Sequence, residues 1–451
     1  MLRIEVWVSL ASATFFAWMP SHLAAQDDKL QSELQQLQES VAEKGAAEAE
    51  LVNAQEAVNT ARAAAAPVPV LVDAWCKLGA AQLASGNFLA ARDSYAEAVK
   101  LADGSFSATD SRLLSPLRGL GHALAALGQH REAEETLERA LAVSARTQGL
   151  LDLGQADILR ELANSRTQIG RYEAAEQALN FLVQAYEHAY GRNDPRVLPA
   201  HTSLAQWYAY VGAPEKGRII LRKSIRNAED KLGKAAPELN PALRALGRSY
   251  LAELVYGPAA AGKFSGRRLP DAQNDVSSRY PRNLPPNVRI SRRSAPAEGE
   301  EALLRALEIA EAAEHRPSVD LPGTLIDLGD WFQFRSQHSK AMGYYGRVAQ
   351  ASPAAFSSPL RIFFPFVRGQ PNPSLSNEAG VGERVAIVEF TVTKEGITTA
   401  AKIIDSDATE AENEDALAAV RVARYRPRFV NGSPVDTPGM RHRQRFAARH
   451  D

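Results

Sequence analysis

The sequence predicts a mainly α chain, an α-solenoid of about six helical hairpins followed by a small α+β domain of order β, β, α, β. Three observations predict it. A Leu-Gly or Leu-Ala pair begins at Leu78, Leu120, Leu162, Leu204 and Leu246, each 42 residues after the last. Gly86, Gly128, Gly170 and Gly212 keep the same step, at places where a first helix must end on a residue free to take positive φ. After Pro353 the helical period gives way to short alternating runs, such as Arg384 to Val392, with Val388, Phe390 and Val392 on one face.

The chain begins with a targeting pattern. Arg3 is a short basic region, Val6 to Met19 is an apolar run of 14 residues, and Pro20 and small residues follow. That is the layout of a signal peptide over 1–25, and the run is short for a membrane span. The mature chain is expected in the periplasm, without a transmembrane helix. The alternative is an uncleaved N-terminus anchored in the inner membrane. Across all 451 residues the composition is ordinary for a globular protein: 45% hydrophobic, 23% charged, net charge −1. Nothing in that balance points to nucleic acid or a membrane surface. A single cysteine, Cys76, rules out an intrachain disulfide framework and fits an apolar helical pattern as a core residue.

Residues 26–68 form a polar, Ala- and Glu-rich helical segment, in which Leu30, Leu34, Leu37 and Val41 keep a short four-three seam. The array occupies 69–355. Ala91, Ala133, Ala175 and Gly217 are the small residues where two helices must touch, and Tyr95, Leu137, Leu179 and Leu221 supply the large apolar contact. The fifth copy is interrupted by an insertion at 257–298, rich in Pro, Gly and Ser. Between Gly257 and Ala297 it holds eight Lys or Arg against two Asp. It reads either as a tolerated surface loop or as a basic arm for an acidic partner or an anionic lipid. The copy resumes near Gly299, with Ala302 and Ala306 in the small and contact positions. Leu325, Leu328, Gly329, Phe332, Ala341 and Tyr345 make the sixth.

Trp75, Leu78, Gly79, Ala91, Tyr95 and Ala98 resemble the tetratricopeptide repeat (TPR), and the 42-residue period is similar to the long variant of kinesin light chains. The resemblance implies that each first helix lines a concave groove. Two ligand-facing columns follow from it: Cys76, Arg118, Arg160, Thr202, Arg244 and Ile326; and Ala80, His122, Asn164, Gln206, Arg248 and Asp330. Arg recurs three times in the first. The candidate peptide-binding residues are therefore Arg118, His122, Arg160, Asn164, Gln206, Arg244 and Arg248. Guanidinium forks pair with carboxylates, and amides clamp an extended backbone. The competing reading is a solvated surface whose Arg stems cover apolar area.

In the last domain, 356–451, Arg384 to Val392 and Ile397 to Ser406 are strands around a Thr393–Gly396 turn. Glu414 to Tyr425 is a helix, and Met440 onward is a final strand. The acidic run from Asp405 to Asp415 sits at the helix start, where the dipole favours acids. The hairpin, Ala416 to Val420, the Tyr425-Arg426-Pro427 motif and Asn431 to Val435 resemble the C-terminal domain of TonB-type energy transducers. That resemblance implies binding of an envelope partner, such as an outer-membrane receptor, by strand addition. Arg441, Arg443 and Arg445 alternate on one face of the last strand, as edge-blunting charges or as contacts to an acidic partner.

No catalytic constellation, cofactor motif or metal-ligand spacing stands in the sequence. The expectation is a non-enzymatic periplasmic adaptor for protein or peptide partners. The alternative is an accessory energy transducer.

Overall fold

The computed structural model describes residues 48–256, 295–313, 319–363 and 384–446. The expected signal peptide, the Leu30–Val41 seam and the insertion from 257 to 294 lie outside the described residues. The chain divides into two compact units, Met1–Gln129 and His130–Asp451.

In the N-terminal unit, α1 includes residues 48–63, and α2 (Val68–Ala84), α3 (Phe88–Asp103) and α4 (Leu114–Ala126) follow. Pro67 at the cap of α2 carries the φ that the ring imposes, −56°. The α2 face of Ala74, Leu78 and Ala81 packs on Ala54, Val58 and Ala61 of α1. Gly86 turns the chain at φ 74°. Asn87 then caps α3, its side chain accepting from the Ala90 N–H at 3.3 Å. The Tyr95 ring lies between two glycines. A Cβ on Gly79 would come within 2.7 Å of it, and one on Gly119 within 2.1 Å. The small residues are thus what let this aromatic enter the hairpin.

In the C-terminal unit, α5 (His130–Thr147), α6 (Ala156–Gln168), α7 (Tyr172–Tyr190), α8 (Leu198–Tyr210), α9 (Pro214–Leu232), α10 (Asn240–Tyr256), α11 (Ala295–Ala312), α12 (Leu321–Phe334) and α13 (His338–Ala351) each pack on the next. The interrupted fifth hairpin closes: α10 and α11 meet with Leu303 against Gly247. The helix α11 starts at Ala295, so it takes in the last residues assigned to the insertion. Arg222 of α9 clamps it, donating from Nε to Glu298 Oε1 at 2.7 Å, while Tyr250 of α10 donates to Glu298 Oε2 at 2.6 Å. The small column holds: Ala175 and Ala341 are fully buried, and a Cβ on Gly217 would meet the Ala205 carbonyl at 2.7 Å. Second-to-first connections repeat as well. Gly149, Gly191 and Gly233 take positive φ, and the Asp152 and Asp194 side chains accept from the N–H two residues on.

The last domain follows the β, β, α, β order and adds short strands. Its elements are β1 (Leu360–Phe363), β2 (Arg384–Val392), β3 (Thr398–Ser406), α14 (Glu410–Val422), β4 (Arg424–Arg426), β5 (Arg428–Val430), β6 (Ser433–Val435) and β7 (Thr437–Phe446). The antiparallel sheet runs β3-β2-β7. Ala386, Val388, Phe390 and Val392 alternate inward and pack with Ala416, Ala419 and Val420 of α14. The helix starts four residues earlier than its apolar period suggests, because Thr409 and Glu412 form a capping box. It also stops at Val422. Tyr425 belongs to β4, buried, with its N–H bonded to the Gly396 carbonyl at 2.9 Å.

Candidate peptide groove and strand edge

Four of the seven expected groove residues share one cleft. Arg160 and Asn164 of α6, Gln206 of α8 and Arg248 of α10 line a cavity of about 540 Å³, with Trp207 and the exposed Tyr210 beside them. The repeat geometry explains this. The first helices α6, α8 and α10 present the same helical face at each 42-residue step, so equivalent residues fall in register. Cations therefore stand on the outer two helices, and amides on α6 and α8. Arg160 donates to Asp157 at 2.7 Å and to the Tyr186 hydroxyl at 3.2 Å. Its pair with Asp157 is solvent-exposed, so an incoming carboxylate displaces it at little cost. Trp207 Nε1 donates to Thr167 Oγ1 at 2.8 Å, which fixes its ring in the wall.

Arg244 sits differently. It is 8% exposed, and its guanidinium is taken up inside the fold. Nε donates to Asp327 at 2.7 Å and Nη1 to Asp320 at 2.7 Å. Arg248 shares the same Asp327, at 2.6 Å. Burial acts against the Asp320 carboxylate, but the Gly323 N–H and Arg244 outweigh it and hold the group below its ordinary value. Arg244 thus closes the fifth repeat onto the sixth. Arg118 and His122 are exposed on α4, in the N-terminal unit.

Asp330, the sixth member of the second column, meets the chain's own last domain. Arg426 of β4 donates to it through Nε and Nη2 at 2.8 and 2.7 Å, and the Tyr345 hydroxyl donates at 2.7 Å. Gln333 Nε2 donates to the Glu395 carbonyl at 2.6 Å, and Phe356 packs edge-on to Phe429 with centroids 5.2 Å apart. The domain is docked on α12 and α13, a contact that no local pattern announces.

The sheet has two outer strands among the described residues. In β3 the ladder shifts register twice and Ala400 takes φ 52°, which spoils that edge as a template. In β7 the register runs unbroken from Met440 to Phe446. Arg441, Arg443 and Arg445 share its exposed face, while Gln444 and Phe446 point inward. Across the sheet Glu389 is flanked by Lys402 at 3.0 Å and Arg441 at 3.7 Å.

Comparison with known proteins agrees with this division. Residues 71–146 match the tetratricopeptide repeat, and residues 382–446 match the Gram-negative bacterial TonB protein C-terminal domain. The chain thus holds one stretch that matches the tetratricopeptide repeat and a C-terminal stretch that matches the TonB type. Among solved structures, it is similar to TPR-like repeats assigned to a kinesin light chain of Podosopora anserina. The identity there is 18%, over 55% of this chain and 99% of that one, with a TM-score of 0.41. It is also similar to BtubC (BKLC) of P. vanneervenii, at 20% identity over 60% and 93%, with a TM-score of 0.42. No curated protein matches it. Both domain types are protein-interaction modules, and the TonB type belongs to the Gram-negative envelope. Among the described residues, no helix is long and apolar enough to cross a membrane.

Proposed function

We propose that this protein is a non-enzymatic periplasmic adaptor whose groove binds an acidic, extended peptide segment of a partner, and whose β7 edge receives a strand from a second envelope protein. The cleft carries the reading: Arg160 and Arg248 bracket Asn164 and Gln206 over three neighbouring helices. Paired cations suit two carboxylates, or one side-chain carboxylate and a chain terminus. The amides suit the backbone between them. The unbroken register of β7 supports strand addition there rather than at the bulged β3.

The test is crosslinking and pull-down from envelope extract with the wild-type chain and with Arg160→Glu/Gln206→Glu. Both side chains reach solvent, so the variant keeps its fold, and peptide affinity should fall by about tenfold or more. Arg244 and Arg248 are left intact, since reversing either would set a second carboxylate against the buried Asp327. Capture of the same partners at unchanged affinity contradicts the groove assignment. N-terminal sequencing of the periplasmic chain separates the adaptor from the alternative of an inner-membrane-anchored accessory energy transducer, which retains residues 1–25.

A further inference from the structure

The repeats serve as one another's controls, and the fourth departs from the rest. His201 of α8 stands in a column whose other members are the half-buried Trp75 and Leu117, Leu159, Leu243 and Leu325, these four at 1%, 1%, 1% and 4% exposure. Ser224 of α9 stands where other copies bury Ala140, Leu182, Ile309 and Val348. The two replacements face each other, with His201 Nδ1 and Ser224 Oγ 2.8 Å apart. Asn227, three residues on, takes the place of the buried Val143 and Ala185. The outer surface shows the reverse exchange. Ile219 is 48% exposed where the three preceding copies carry Asp93, Glu135 and Gln177; the fifth copy alone shares the trait, with Leu304 at 36%.

Folding alone selects the opposite pattern. A Leu pair at the His201 and Ser224 positions would bury more apolar surface, at about 25 cal/mol per Å², without a polar group to satisfy. The same repeat therefore gives up core apolarity and exposes an apolar side chain, both beside one cavity. That cavity has a volume of about 470 Å³, in the range of small-molecule sites. Its charged members are Glu187, Arg192 and Lys223. Glu187 lies 3.6 Å from Arg192, which leaves the exposed Lys223 as the cavity's cation without an ion pair among the described residues. Burial holds the His201 imidazole below its ordinary value, with Glu187 opposing and Lys223 reinforcing that shift, so the ring is neutral at neutral pH.

We propose that this cavity is a binding site for a small amphipathic carboxylate. Its anionic head lies on Lys223 and Asn227, and its apolar part lies on Ile219 and Ile220. The His201–Ser224 pair supplies hydrogen bonding at the floor. The site is separate from the groove and does not depend on it.

The full-length chain is titrated with N-acetyl-L-leucine as the probe, followed by saturation-transfer difference NMR, with N-acetyl-L-leucine amide as the uncharged control. Saturation transfer to the leucine methyls is expected for the acid and about tenfold weaker binding for the amide. Lys223→Glu should lower the affinity for the acid by about tenfold or more, and Ile219→Gln should lower it for both probes. Both positions are exposed, so the fold is preserved. His201→Leu/Ser224→Leu, which restores the column of the third repeat, should abolish binding and raise the urea midpoint. The site is refuted by absent transfer in the wild-type chain, by equal binding of acid and amide, or by undiminished binding in Lys223→Glu. A lowered urea midpoint in the double variant also refutes it, since the His–Ser pair would then be a packing element.

Discussion

Arg426 lies fork to fork on the Asp330 carboxylate, at 2.8 and 2.7 Å, and so locks the last domain to the sixth repeat. The pair is largely withdrawn from water, at 19% and 13% side-chain exposure. Tyr345 donates to the same carboxylate, and burial followed by that negative charge pushes its hydroxyl well above the ordinary range. Removing one partner of such a pair leaves the other buried and uncompensated. We predict that Arg426→Met costs about 2–4 kcal/mol in global stability. It should also release amide protection in α12 and in the Thr393–Gly396 turn. Arg426→Lys should recover only part of this, because one ammonium cannot make two parallel bonds. Hydrogen exchange unchanged in α12 would mean that the pair does not hold the domain.

The array is legible in the sequence because each repeat poses the same local demand. Gly86, Gly128, Gly170 and Gly212 all take positive φ, and Ala91, Ala133 and Ala175 are all fully buried. Such columns need no knowledge of distant partners. The cleft is half legible for the same reason, since Arg160, Asn164, Gln206 and Arg248 follow the period. What the period cannot carry is pairing across repeats that the insertion has put out of phase. Asp327 and Asp320 reach Arg244 from 83 and 76 residues away. Arg426 reaches Asp330 over 96 residues. Trp207 and Tyr210 also escape notice, being one and four positions past the expected groove column. The start of α14 had a readable signal, the Thr409–Glu412 capping box, set within an acidic run that masks it.

The sixth repeat departs from the glycine column, and that departure is testable. Ser336 takes the place of Gly170 and adopts φ 56°. Its backbone makes the same closing bonds: Ser336 N–H to Gln333 O at 3.2 Å and Gln337 N–H to Phe332 O at 2.9 Å. A left-handed L-residue costs about 1–2 kcal/mol, while glycine gives back about 0.4–1 kcal/mol through unfolded-chain entropy. We predict that Ser336→Gly raises stability by about 0.5–1 kcal/mol. Gly170→Ala should lower it by a similar amount. Ser336 is exposed, so no packing is lost in the exchange. Urea midpoints of both variants check the pair, and a destabilised Ser336→Gly would contradict the strain account.

Cys76 offers a chemical probe of the N-terminal unit. It is buried on α2 at 8% exposure. Burial pushes its thiol from 9.0 up to about 11, against a lowering hydrogen bond with Ser115 and with a small further rise from Asp73. The thiolate is the reactive form, so at pH 8 disulfide reagents should label the native chain about 100-fold more slowly than the urea-unfolded chain. The same shift fixes the sign of a stability change. The unfolded thiol ionises first, near 9.0, while the folded thiol stays protonated up to about 11. Its stabilisation is therefore full below pH 9 and is lost as pH rises through that window, by at most about 2–3 kcal/mol. Tyrosines and lysines titrate in the same range, so the quantity to measure is the difference between wild type and Cys76→Ala. That difference in urea midpoint should shrink from pH 8 to pH 11, and a constant or growing difference would place the thiol in contact with water.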